Sequence, residues 1–228
     1  MRTEAEYRQI ILDIKKKIGR AELVSVSKTR SWEEILLSYQ AGARVFGENH
    51  VQEIVQKFSG ERPKDMKVHM IGHLQSNKVN KVVPLVDMIQ SVDSFSLLEK
   101  IDRAARECGK KLEVLLEVNS SGEESKSGFG SEEEVFDCLE KAKELEHVAI
   151  RGFMTMGPVN CPVEEKDRLT HMAFAKTRLL SIKCQKHFPL YDLDVLSMGM
   201  SGDYLIGVEE GSTMVRIGTA IYGERYYA

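Results

Sequence analysis

Eight short runs of strand-type residues alternate with helical stretches along the chain, and this alternation restricts the fold more than any other feature. The runs are Leu23–Ser27, Val45–Gly47, Val68–Ile71, Met88–Val92, Leu112–Val118, Ala149–Met154, Asp194–Met198 and Met214–Ile217. Between them, Ser31-Trp32-Glu33-Glu34 reads as a capping box that opens a helix, and a helical run covers His50 to Phe58. A further helix carries Leu98, Ile101 and Ala105 on one face. Ser131-Glu132-Glu133-Glu134 reads as a second capping box, and helical segments follow from about Glu164 to Gln185 and around Tyr204 to Val208. Strand, helix, strand implies parallel crossovers, and eight such units are the number that closes a (β/α)8 TIM barrel. An open doubly wound sheet is the competing α/β architecture. No GxGxxG follows the first run, where a dinucleotide site of that fold would need it.

No full helix follows the eighth run. The N-terminal segment places Tyr7, Ile10, Ile11, Ile14 and Ile18 on one stripe and is expected to cover that gap. No linker, repeat or low-complexity tract interrupts the chain, so residues 1–228 are expected to form a single domain. Hydrophobic residues make up 42% of it, ample for one large core.

Charge excludes several partners. With 32 Lys+Arg against 35 Asp+Glu, the chain has no electrostatic footprint for nucleic acid or an anionic membrane. No apolar run approaches the roughly 20 residues that span a bilayer. The first residues lack a signal peptide's uninterrupted apolar stretch, so the expected compartment is the cytoplasm. Cys108, Cys138, Cys161 and Cys184 contain no CxxC pair and read as reduced, semi-buried small hydrophobes.

In a barrel the chemistry lies at the carboxyl ends of the strands, and phosphate is usually held by the loops after strands seven and eight, beside a short helix N-terminus. Both loops here contain glycine and hydroxyls: Ser201-Gly202 before the short helix, and Gly218-Thr219 after the eighth run. Either alone reads as an ordinary turn; together they favour a phosphate cradle. Lys28 directly follows the first run, where its ammonium would point into the barrel mouth. A lone strand-end lysine is more often a solvated charge, but a desolvated one forms a Schiff base with an aldehyde. Arg216, expected across the barrel from Lys28, lies between Val215 and Ile217 and so is buried by pattern. Cradle, lysine and inward arginine together describe a pyridoxal phosphate (PLP) site. Asn49 ends the second run and either hydrogen-bonds the cofactor ring or caps the next helix. His69 and His73 are not placed as a zinc pair; His73 is a candidate for the cofactor's rim or a plain loop histidine. Lys126 sits in a Gly/Ser-rich loop and reads as a mobile surface charge.

VSVSKT around Lys28, FGENHVQE around Asn49, IGHLQSNK around His73, KSGF at Lys126 to Phe129, LSMGMSGD around Ser201 and VRIGTAIYG around Arg216 closely resemble the YggS/PROSC family. These are PLP-binding, or PLP homeostasis, proteins. The motifs run in matching order over nearly the whole chain; His50 departs from the tyrosine common in the family. The resemblance implies a barrel like the N-terminal one of bacterial alanine racemase, with Lys28 carrying the cofactor as an internal aldimine. It also implies phosphate contacts from Ser201, Gly218 and Thr219, and Arg216 facing the pyridine nitrogen. A guanidinium only donates, so the ring nitrogen stays unprotonated and the ring is a weaker electron sink.

A racemase needs two bases, and in that family the second is a tyrosine from a separate C-terminal β-domain. This sequence ends at Ala228 soon after the eighth run, and the spacing of Tyr222, Tyr226 and Tyr227 places none in the mouth. The expectation is a non-enzymatic protein that binds, stores or delivers PLP, affects vitamin B6 and amino-acid balance, and exists as a monomer, with PLP-dependent apo-enzymes as candidate recipients. A weak PLP-dependent amino-acid racemase is the alternative. A barrel for another phosphorylated metabolite is the third reading.

Overall fold

The eight runs become eight parallel strands in a computed structural model, which describes residues 2–123 and 126–224. They are β1 (Glu22–Val26), β2 (Val45–Glu48), β3 (Lys67–Met70), β4 (Met88–Val92), β5 (Leu112–Glu117), β6 (Val148–Met154), β7 (Val195–Met200) and β8 (Met214–Ile217). Each pairs with the next, and β8 pairs back to β1 with Arg216 opposite Val24, which closes the barrel. The helices are α1 (Glu4–Ile18), α2 (Trp32–Gln40), α3 (Val51–Phe58), α4 (Val79–Val82), α5 (Phe95–Glu107), α6 (Glu132–Lys141), α7 (Lys166–His187), α8 (Tyr204–Glu209) and α9 (Thr219–Tyr222). The fold is a (β/α)8 TIM barrel.

Local chemistry starts the helices where the sequence indicates. Ser31 and Glu34 form the reciprocal capping box of α2. At α6 the box is only half made: Ser131 Oγ accepts from the Glu134 amide, but the Glu134 carboxylate takes the N–H of Gly130 instead of Ser131. One more box opens α1, between Thr3 and Glu6. That helix buries Tyr7, Ile11, Ile14 and Ile18, with Ile10 only partly covered. It packs against α2, α8, α9 and β1, over the seam that the one-turn α9 leaves open. Each such side chain taken from water contributes about 1.5–3 kcal/mol.

Two apolar regions hold the barrel. The larger lies between strands and helices; the smaller fills the lumen with Val24, Val45, Met88, Leu115, Met154 and Met214. One inward position further along, the lumen turns polar: His69, Gln90, Ser197 and Arg216 are all buried there. Gly152 marks a shift in the β5–β6 register, at φ 141°, and a Cβ there would stand 2.0 Å from the Val195 carbonyl oxygen. Only glycine permits that approach of β6 to β7.

Among the described residues no helix is long and apolar enough to cross a membrane. All four cysteines are free thiols. Cys138 and Cys184 are buried, which pushes both thiols up to about 12. Cys108 is exposed instead of semi-buried.

Candidate functional site

A cavity of about 270 Å³ opens at the carboxyl ends of the strands. Lys28, Asn49, Ser201, Arg216, Gly218 and Thr219 all line it, and Val26, Ile71, Met156 and Met200 supply apolar wall. Six residues spread over four loops and strand ends thus converge on one space.

Parallel strands point alternate side chains inward, so Val24, Val26 and Lys28 share the lumenal parity of the β1 segment. Lys28 is half-buried at the second position of a turn closed by Arg30 N–H on the Ser27 carbonyl, 3.0 Å. Thr29, the third position, has φ 64°. Its N–H donates to Glu53 Oε2 at 2.6 Å. Lys57 Nζ reaches Glu53 Oε2 at 2.6 Å, Glu48 Oε1 at 3.0 Å and the Ser27 carbonyl at 2.9 Å. Ser27 Oγ donates to Glu48 Oε1 at 2.7 Å. Glu48 is fully buried, and this burial raises its pKa against the pull of Lys57 and Ser27.

Arg216 is buried as its sequence position indicates, but it is not across the barrel from Lys28. Closure makes β8 the immediate neighbour of β1, so the arginine and the glycine-bearing loop behind it flank the lysine's own strand. Its Nη1 donates to the Ser197 carbonyl and hydroxyl, and its Nη2 to the Thr155 carbonyl at 2.9 Å. Burial lowers its pKa to about 10, so it stays charged at neutral pH.

Both loops expected to cradle an anion line the cavity, Ser201 and Gly202 after β7 and Gly218 and Thr219 after β8. Short α8 starts after Asp203, whose carboxylate accepts from Met200 N–H and makes no capping bond to the helix. The converging backbone donors are instead Gly218 N–H and Ala220 N–H, both aimed at Ser201 Oγ, at 3.2 and 3.4 Å. A Cβ on Gly218 would stand 3.2 Å from both Val26 Cβ and the Val26 carbonyl oxygen. The glycine therefore lets the loop lie close against β1.

Asn49 does not cap α3; the cap position is His50, whose side chain makes no capping bond. Asn49 Oδ1 is buried with no partner. His73 lies outside this cavity's lining, half exposed, with Nδ1 3.2 Å from Asp93. His69 is buried and shares a hydrogen bond with Gln90 at 3.0 Å. Lys126 is not a mobile charge: it pairs with Glu123 and donates to the Gly157 carbonyl at 2.7 Å. The Lys126 bond to the carboxylate, with the amides of Asn160 and Val159, holds the Glu123 carboxyl down to about 2. Tyr222 is buried behind β1, its hydroxyl 2.9 Å from both Ser25 Oγ and Ser38 Oγ. Tyr226 and Tyr227 lie outside the described residues.

Sequence reasoning missed the Glu48–Lys57–Glu53 cluster and the lumenal Gln90–His69 pair. Only Gln90 carried a signal, as an amide in the middle of an apolar strand.

Residues 5–226 match the family model described as alanine racemase, N-terminal domain. A pyridoxal phosphate homeostasis protein of Vibrio alginolyticus is 41% identical over 220 residues, which cover 93% of this chain and 91% of the relative. PipY of Synechococcus elongatus, solved with PLP bound, superposes with a TM-score of 0.85 at 34% identity, over 95% of this chain and 100% of that one. An alanine racemase of Streptomyces coelicolor, 16% identical, has the same fold over 98% of this chain and 59% of its own, with a TM-score of 0.78.

Proposed function

The chain belongs to the family of pyridoxal phosphate homeostasis proteins, built on the alanine racemase N-terminal domain, and on that premise we propose that it binds PLP in this cavity without turning over a substrate. When bound, PLP supplies an aldehyde electrophile and an electron-accepting ring. Lys28, on the cavity wall, would be the residue that holds that aldehyde covalently. Ser201, Thr219 and the N–H of Gly218 take the phosphate, in place of the long bonds that Gly218 and Ala220 make to Ser201 Oγ. Asn49 offers its orphaned amide oxygen to a ring substituent. Arg216, charged at neutral pH and able only to donate, would face the ring nitrogen.

The observation that carries this reading is the convergence of lysine, arginine and hydroxyl-bearing glycine loops on one cavity. The chain then acts as one PLP-holding unit, a monomer in the cytoplasm, serving vitamin B6 and amino-acid balance and passing cofactor to PLP-dependent apo-enzymes. Against the racemase alternative stands Tyr222, whose hydroxyl is engaged behind β1 and not in the cavity.

The test is an absorption spectrum of the purified protein before and after borohydride, with peptide mapping of the reduced adduct. A yellow band that traps on Lys28 and vanishes in Lys28→Ala supports the proposal, together with no turnover of D- or L-amino acids. Racemisation lost in the same variant would favour the enzyme. A colourless protein indifferent to added PLP would point to another phosphorylated metabolite.

A further inference from the structure

We propose that Glu53 and Lys57 of α3 are positioning residues that clamp the turn around Lys28, holding Thr29 left-handed so that the lysine amine faces the cavity. Among the described residues, Thr29 is the one non-glycine with positive φ. The third position of such a turn normally takes glycine or asparagine, and a β-branched threonine there is strained. Local preference therefore does not account for the conformation, and something else must hold it.

The hydrogen bonds show what does. Glu53 Oε2 takes the N–H that follows Lys28, and Lys57 Nζ takes the carbonyl that precedes it. The two side chains meet each other at 2.6 Å, so one cluster on α3 grips the backbone on both sides of the lysine. Glu48 anchors the cluster from β2 through Lys57 and Ser27. The arrangement is costly: Lys57 is 9% exposed, Glu48 is 0% exposed, and Glu48 Oε2 has no partner. Buried ion pairs of this kind rarely repay their desolvation in stability. Next to a lysine at the mouth of a cavity, the cluster instead fixes geometry. A turn already in its bound conformation raises affinity, because the binding-competent fraction is near one.

The inference rests on Lys28 being the PLP-bearing residue, and the experiment separates the two. PLP affinity is measured by absorbance titration with borohydride trapping, for wild type, Glu53→Ala and Glu53→Ala/Thr29→Gly, with urea midpoints alongside. Glu53→Ala is expected to weaken PLP binding about tenfold by lowering the competent fraction. Glycine adopts the left-handed conformation without the clamp, so the double variant is expected to return to within about twofold of wild type. An unchanged affinity in Glu53→Ala, or a loss that Thr29→Gly does not recover, overturns the clamp. Absence of a trappable band in wild type overturns the Lys28 reading itself. Independently of Glu53, Thr29→Gly alone is expected to raise the urea midpoint by relieving strain. A lowered midpoint would remove the strain argument.

Discussion

Arg216 and Ser197 meet twice, Nη1 of the arginine donating to the serine's carbonyl at 2.7 Å and to its hydroxyl at 2.6 Å. The serine hydroxyl donates in turn to Gln90 Oε1 at 2.7 Å, and Gln90 Nε2 faces His69 Nδ1 at 3.0 Å. Donation thus runs one way through the lumen, from a charged arginine to a histidine that accepts. Such a chain orients the guanidinium that lines the cavity without spending a second charge.

Ser197→Ala removes both hydroxyl bonds and leaves Gln90 Oε1 a buried acceptor with no serine donor. The expected cost is about 1–3 kcal/mol, read as a lower urea midpoint. PLP retention on dialysis should fall with it, because the arginine loses one of its two holds on Ser197.

His69 should resist protonation. Burial, with the Lys67 charge adding to it, lowers its pKa from 6.5 to about 3. The unfolded chain binds a proton near pH 6.5 that the folded chain refuses. This contribution to stability is therefore present above pH 6.5 and is lost progressively as pH falls towards 3. Urea midpoints across that window should decline less steeply in His69→Gln. Nitrogen NMR should find the proton on Nε2, with Nδ1 free to accept from Gln90.

Gly218→Ala brings a methyl 3.2 Å from the Val26 backbone oxygen, and a strand in the barrel wall yields little. The φ there is negative, −117°, so the substitution adds no left-handed strain. Overpacking is expected to cost about 1–3 kcal/mol and to displace the Gly218 N–H, weakening PLP affinity in titration.

Tyr222→Phe strips the bonds to Ser25 and Ser38 and should lower stability by about 1 kcal/mol. The PLP absorption band should be unaffected. Loss of that band, or of a racemase activity present in wild type, would move Tyr222 into the chemistry.

The barrel was legible because each strand is a compact apolar run and most crossovers carry a periodic face or a capping box; the short α4 between β3 and β4 was not read. The stripe from Tyr7 to Ile18 likewise announced a helix with one buried face. The six site residues that line the cavity were legible from their places at or just after the carboxyl ends of strands. Their mutual arrangement was less so. The relation of Arg216 to Lys28 follows from closure, which sets the first strand beside the last. Glu48 and Lys57 read as ordinary helix and strand-end charges, because nothing local shows that they share buried space. Lys126 looked mobile because a Gly/Ser-rich loop usually is; the Glu123 carboxylate that pins it reaches over to the amides of Val159 and Asn160. At Ser131 the local pattern was right, but a neighbouring amide won the glutamate.

The hydrogen-bonded seam between β1 and β8 also has a bearing on how the protein is made. On the ribosome, β1 emerges first and keeps one edge unpaired until β8, the last strand, is released. Lys28 and Arg216 come together only at that step, so a nascent chain has no assembled cavity. A chain stalled before β8 exposes the unpaired edge of β1 instead.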